Sequence, residues 1–445
     1  MKNVIVKKGY DLRLSGSPAS ELEVLKTPST LGVLPEHIPF IIPRLRVEKG
    51  QKVKIGTPLF EDKRDMNLVF LSPGAGVITD IRYGQRRVIQ EIVIDLDEIE
   101  AMEEFPRTDL SMIESMDPSL IKERLVKGGV WPFLRALPFR DIAGRDSDPS
   151  SIVVSLNGKD SFAPSPSLYL RGKEDLFLYG LSVLRKLTKT VHIMASGDCG
   201  NLSVDVKNTI THTTTGPYPS DDPGVLLYHI KQTKEENKAF FIDGQDLVLL
   251  AQLMRDGVYP SWKVIATGGP ACGKKKHFRV RVGSPVKALQ LGSGEESTRV
   301  VAGGVMRGYN LPSDSYLGYY ESSLTVLNEG DEEEFLGFLR AGYNRPSFTR
   351  TFLSAFNRKD FSMNCNMHGE LRPCINCGAC ASVCPVDILP QFAFKCLQAG
   401  EVEEGLAHGL LDCVECALCT YVCPSKVDVC AILKKAKADY SKEQA

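Results

Sequence analysis

Eight cysteines between Cys374 and Cys423 stand in two copies of one spacing. The first is Cys374, Cys377, Cys380 and Cys384, followed by Pro385; the second is Cys413, Cys416, Cys419 and Cys423, followed by Pro424. Both read C-x2-C-x2-C-x3-C-P. Three thiolates at that step wrap one loop around a cube of iron and sulfide, and the fourth, just before proline, is carried off to the neighbouring cluster. The spacing predicts two [4Fe-4S] clusters with crossed ligation: Cys374, Cys377, Cys380 and Cys423 on one, Cys413, Cys416, Cys419 and Cys384 on the other. Structural zinc pairs one C-x2-C with a distant second pair and has no use for a third cysteine at the same step, twice over. Disulfides fit worse, because 13 cysteines is an odd number, most stand in metal-ligand spacing, and no apolar signal segment opens the chain. A reducing compartment is expected.

The elements that hold these cysteines belong to a larger chain. At 445 residues, 43% of them hydrophobic, it can bury several cores, and three or four domains of ~100–150 residues follow. With 54 Lys plus Arg against 55 Asp plus Glu, no global basic field points to nucleic acid or an anionic membrane. The longest apolar runs, Leu247 to Leu250 and the interrupted Leu176 to Leu184, fall short of the ~18–20 residues that span a bilayer. Any membrane role must pass through a partner.

Residues 1–103 read as a flattened β-sandwich of the biotinyl/lipoyl type, with short apolar alternation between Gly and Pro turns in Val47–Leu59, Ser72–Ile78 and Val88–Leu96. Lys63 stands near where a lipoyl-carrying lysine would, but lacks the usual hairpin context and reads as a solvated lysine. Residues 104–258 read as a Rossmann-like α/β unit. Ser151–Leu156, Val191–Met194 and Phe240–Ile242 are strand candidates; Lys173–Leu187 and Gln245–Arg255 are helical. Its Gly128-Gly129-Val130-Trp131-Pro132-Phe133 segment offers only a glycine pair before a bulky Trp, a turn rather than a cradle for a dinucleotide or flavin. In residues 259–330, a β-grasp-like (SLBB) unit, Gly268–Lys275 nearly spells a P-loop. Lys275 replaces the Ser or Thr that would bind magnesium, however, and Phe278–Val282 follows as a strand, so a hairpin turn is expected. Gly303–Gly308 likewise reads as turn chemistry.

Residues 331–445 turn helical, over Asp331–Leu339, Phe348–Phe356 and Pro390–Gln398, and with Val402, Leu406 and Leu410 on one face. That favours an α-helical ferredoxin module. Cys365, Cys396 and Cys430, with Cys199 and Cys272, are expected to pack as small apolar residues. His212 and His229 flank a Pro/Gly loop as structural histidines.

This order of units resembles the A subunit of the Na+-translocating NADH:quinone oxidoreductase (Nqr) and the C subunit of the Rnf complex, relatives of the NADH- and flavin-binding subunit of respiratory complex I. The Nqr A likeness rests on Lys8-Gly9-Tyr10-Asp11-Leu12, Leu59-Phe60-Glu61-Asp62-Lys63, Arg86-Arg87-Val88-Ile89-Gln90, Gly129-Val130-Trp131-Pro132-Phe133, Gly216-Pro217-Tyr218-Pro219, Pro385-Val386-Asp387-Ile388-Leu389-Pro390 and Leu418-Cys419-Thr420-Tyr421-Val422-Cys423-Pro424. The resemblance implies a peripheral electron-transfer subunit without a transmembrane segment. It would sit on the cytoplasmic side of the inner membrane, dock on an Nqr B-like membrane subunit, and serve a complex that passes electrons from NADH to quinone and exports Na+. A quinone contact is suggested for the family. The better-known Nqr A subunits look like this chain with most cluster cysteines replaced, whereas Rnf C keeps both motifs, so an Nqr-type body here carries an Rnf C-like ferredoxin segment. The flavin-binding glycine loop of Rnf C is replaced by Gly128–Pro132, which disfavours FMN and NADH. Two alternatives remain: an Rnf C-like subunit that takes electrons from NADH or ferredoxin with the help of flavin, and a docking scaffold whose clusters only staple the C-terminal helices.

Overall fold

A computed structural model describes residues 1–157, 161–197, 201–292, 297–330 and 339–444. Strands Thr30–Val33, Ile89–Leu96, Gly76–Tyr83 and Lys52–Val53 form one antiparallel sheet, in that order, and Pro43–Leu45, Pro58–Asp62 and Asp65–Leu71 another. Alternation along the strands turns Leu31, Ile78, Ile92 and Ile94 inward; Leu59, Phe60 and Phe70 are buried as well, and the Phe60 and Phe70 rings stack at 4.6 Å. Asp62 pairs with Asp65, which puts Lys63 at the tip of a two-residue hairpin. The hairpin context judged missing from the sequence is present. The turn carries Lys63-Arg64 rather than an Asn-Gly type signal, so composition did not reveal it.

The first 25 residues, expected within the sandwich, pair elsewhere. Lys2–Ile5 adds parallel to His212–Thr215, and Leu22–Val24 adds parallel to His277–Arg279. Both are edge strands whose partners lie about 200 residues away or more, beyond any local pattern.

In the α/β unit, Lys2–Ile5, His212–Thr215, Val191–Ser196, Ile152–Ser155 and Phe240–Asp243 lie side by side in parallel, followed by the short antiparallel strands Arg135–Ala136 and Asp141–Ile142. Ile152, Val153 and Val154 are all buried, as a parallel strand covered on both faces requires. Helices Glu174–Leu187 and Gly244–Asp256 pack together on one face. Gly180 makes that approach possible, since a Cβ there would lie 2.9 Å from the Leu247 side chain.

Trp262–Gly268, His277–Arg281, Ser323–Asn328, Thr298–Ala302 and Tyr309–Asn310 build the sheet of the third unit. Its first two strands pair antiparallel, so the near P-loop between them is a hairpin turn, as its sequence implied. The Asp331–Leu339 helix expected from the acidic run lies, up to residue 338, outside the described residues. Phe348–Phe356 forms only a single 3-10 turn, Leu353–Phe356. Ahead of it the Ser347, Thr349 and Thr351 hydroxyls bond one another at 3.1 and 2.6 Å. Short helices Ala379–Ser382, Pro390–Gln398, Val402–Ala407 and Leu418–Tyr421 and the long Val429–Gln444 complete the chain. The expected Val402–Leu410 stripe breaks at Gly409, where φ is +91°. No helix among the described residues is long and apolar enough to cross a membrane.

Candidate metal centres

The two cysteine motifs, 39 residues apart from Cys374 to Cys413, fold alike. Asn376 and Glu415 both have φ +56°, Gly378 and Ala417 have +73° and +62°, and Asp387 and Lys426 have +51° and +57°. Left-handed residues set among right-handed ones turn successive N–H groups toward the same side, a concavity suited to anionic sulfur. The N–H of Asn376 donates to Cys374 Sγ at 3.4 Å, and at the equivalent position the N–H of Glu415 faces Cys413. Leu418 donates to Cys416, and Val386 and Ile388 to Cys384. After Gly378 and Ala417 the chain enters the short helices that carry Cys380 and Cys419.

Cys374, Cys377, Cys380, Cys419 and Cys423 line one cavity. Cys380, Cys384, Cys413, Cys416, Cys419 and Cys430 line a second. The fourth cysteine of each motif thus stands in the cavity of the other. Cys380 and Cys419 border both spaces, so the cavities are neighbours. Apart from the sulfurs, the walls are mainly apolar: Ile375, Phe394 and Val429 around the first, Val386, Ile388, Val414 and Leu433 around the second. The first opens to the surface, where Ile375 is 69% exposed and Cys377 is exposed; Cys384, Cys416 and Cys419 are buried in the second. Among the described residues no three His, Cys, Asp or Glu side chains gather closely enough for a single metal ion. A polynuclear core held by thiols around its rim suits this geometry, and the N–H groups aimed at sulfur suit its negative charge.

The electrostatics fit the same group. Burial pushes the Cys416 thiol up to about 12, against the pull of Arg307, and raises Cys384, Cys380 and Cys413. A thiol hydrogen bond with Cys430, then burial, raises Cys419. Buried thiols of this kind ionise only when a cation replaces the proton, which is what bound iron does. Behind the inner cavity, Lys437 is 1% exposed and donates to the Cys413 carbonyl at 2.8 Å and to Glu415 at 2.7 Å. Burial works to raise the Glu415 carboxyl, but Lys437 and Arg140 hold it below the usual range.

The inner cavity is walled by the rest of the molecule. Val6 and Val225 share a core with Cys384, Val414 and Cys416. The Tyr218 hydroxyl donates to the Cys416 carbonyl at 3.0 Å, His229 Nε2 lies 3.1 Å from the Pro385 carbonyl, Lys8 pairs with Asp387 at 2.7 Å, and Lys231 with Asp412 at 2.5 Å. Asp222, fully buried, accepts from Arg140 at 2.7 Å and from Arg307 at 2.6 Å. None of these contacts was foreseen. The Gly216–Pro219 loop was visible, but its partner lies some 200 residues on. Cys430 was expected only to pack; it lines the inner cavity beside Cys419. Cys272 is buried in the core of the third unit as a small apolar residue, Cys365 N–H bonds the Asn328 carbonyl, Cys396 lines neither cavity, and Cys199 lies outside the described residues.

Residues 4–97 match the family described as the NqrA N-terminal barrel-sandwich hybrid domain, 116–259 the NqrA second alpha/beta domain, and 364–427 a 4Fe-4S dicluster domain. The A subunit of the Na(+)-translocating NADH-quinone reductase of Glaesserella parasuis is 31% identical over 92% of both chains. Its counterparts of the same name from Haemophilus influenzae and Shewanella amazonensis are 30% identical, again over 92% of each. The chain belongs to the NqrA family. A chain of an NAD+-reducing [NiFe]-hydrogenase matches half of it at 10% identity, with a TM-score of 0.33.

In this NqrA-family chain the glycine pair before Trp131 closes a helix instead of opening one. Gly128 caps Pro118–Lys127. A Cβ on Gly128 would meet Leu253 at 2.1 Å, and one on Gly129, at φ +65°, would meet Leu71 at 2.6 Å. Trp131 Nε1 donates to the Ala143 carbonyl at 2.7 Å, and Phe133 stacks on Tyr319 at 5.1 Å. The segment is committed to packing between the sandwich and the α/β unit.

Proposed function

We propose that this chain is a peripheral electron-transfer subunit of an Nqr-like NADH:quinone oxidoreductase, relaying electrons through two [4Fe-4S] clusters. Cys374, Cys377, Cys380 and Cys423 would hold the outer one, and Cys384, Cys413, Cys416 and Cys419 the inner. The observation that carries this reading is that all eight motif thiols line two adjoining cavities, with the fourth cysteine of each motif, Cys384 or Cys423, standing only in the cavity of the other, while Cys380 and Cys419 border both. Bound there, the clusters supply one-electron acceptance and release. The protein's own groups supply the rest: the positive-φ loops aim N–H groups at sulfur, apolar walls exclude water from the inner site, and the open wall at Cys377 gives a partner access to the outer one. As its relatives are named for a place in the NADH-quinone reductase, the chain would work within a membrane complex, on its cytoplasmic side against an Nqr B-like protein. Anaerobic purification with iron and sulfide analysis and EPR after reduction tests this. About eight irons and interacting S = 1/2 signals are expected; zinc, or no metal, would overturn it.

A second reading, the Rnf C-like subunit with flavin or NADH, draws on an open cleft of about 880 Å³ bounded by Ser196, Thr214, Thr215, Gly216 and Ser220. It lies at the carboxyl ends of the parallel strands, where open α/β sheets bind ligands. Its described lining holds Asp11 and Asp221 and no lysine or arginine, a poor wall for a pyrophosphate, so this reading stands second. Flavin released from the purified protein on denaturation would promote it.

A further inference from the structure

Arg307 stands on the turn after Thr298–Ala302, in the third unit, yet reaches into the wall behind Cys416. Its Nη1 donates to Asp222 at 2.6 Å, its guanidinium carbon lies 5.7 Å from the centre of the Tyr218 ring, and Tyr218 in turn holds the Cys416 carbonyl. The preceding Met306 packs against the same core as Cys416. Two polar atoms of Arg307, Nε and Nη2, are buried and find no partner in the protein. An arginine whose N–H groups are sealed from water and left unbonded is costly. It is retained where an anion can accept from it.

We propose that Arg307 is a tuning residue for the inner cluster, its buried charge behind Cys416 favouring the reduced cluster over the oxidised one. This rests on the relay reading above. The charges behind Cys413 and Cys416 support it: Arg140, Arg307 and Lys437 against Asp222 and Glu415, a net excess of one cation. The step it biases is the addition of one electron, passed from the outer cluster, to the inner; no bond to Arg307 forms or breaks and no proton moves. A fixed cation beside a cluster that gains negative charge raises its potential, as hydrogen bonds to its sulfurs do. With both clusters bound, that shift would favour transfer from the exposed cluster to the enclosed one.

The test is an EPR-monitored redox titration of the full chain, in wild type, Arg307→Gln, Arg307→Lys and Asp222→Asn. At the wild-type midpoint of the inner cluster, Arg307→Gln is expected to lower the reduced-to-oxidised ratio about tenfold, 59 mV for a one-electron couple. Arg307→Lys should recover part of the loss. Asp222→Asn, which removes a negative charge while leaving both arginines, should shift the inner cluster the opposite way. The outer cluster should hold its midpoint throughout. A packing role alone would not give shifts of opposite sign. An inner midpoint unchanged in iron-replete Arg307→Gln overturns the proposal; should that variant fail to load iron, an unchanged midpoint in Arg307→Lys and Asp222→Asn overturns it equally. Wild type without iron would instead sink the relay reading itself.

Discussion

Cys423 separates crossed from local ligation. If each motif held its own cluster, Cys423→Ser would damage the site of Cys413, Cys416 and Cys419. With the cavity linings found here, it should instead abolish the outer signal, and Cys384→Ser the inner one, each removing about four of eight irons; EPR on the two variants decides. Lys437 offers a prediction in stability. Lys437→Met leaves the half-buried Glu415 without its hydrogen-bond partner, and losing a bond to a charged group costs about 1.5–3 kcal/mol, measurable by chemical denaturation. The sign with pH follows. Glu415 sits below its unfolded value, so its contribution is present above about pH 4.3 and is lost as pH falls through the lower folded value; in Lys437→Met that acid-side loss should shrink. At this scale the cysteines were legible because a ligand loop is local, its spacing written in consecutive residues. Arg307, Asp222, Tyr218 and Lys437 were not, because each acquires its role only from partners in other parts of the chain.

The paired ligand loops make one comparison between equivalent positions possible. Gly378 and Ala417 take the same left-handed conformation, and a Cβ on Gly378 would meet no atom within 4 Å, so backbone strain is the main difference between them. Gly378→Ala should cost about 1 kcal/mol and Ala417→Gly should gain roughly as much, by denaturant unfolding with metal loading held equal. Strands and helices with strong periodicity were also legible: Ile152–Ser155, Val191–Ser196, Phe240–Asp243, Glu174–Leu187 and Pro390–Gln398 stand where apolar spacing put them. The hairpin tip at Lys63-Arg64 was missed because its turn residues are not the usual ones. The Phe348–Phe356 helix was overread: only Leu353–Phe356 turns, and the segment holds Thr349, Thr351 and Ser354, which are weak helix formers.

Across the whole molecule, the first 25 residues act as a strap, one strand in the α/β sheet and one in the sheet of the third unit. Deleting them removes several backbone hydrogen bonds at about 1 kcal/mol net each and exposes the His212–Thr215 edge. Limited proteolysis should then cut between the units faster than in the full chain, while a rate unchanged from wild type would show that the strap carries little. Sequence could order the units but could not show this lacing, since strand pairing over such separations leaves no local mark. The crossed cysteine sets carry a consequence for how the protein matures. Neither cavity has its four thiols until both motifs have been synthesised and folded together, so a nascent chain that has emerged only as far as Cys384 cannot complete a cofactor.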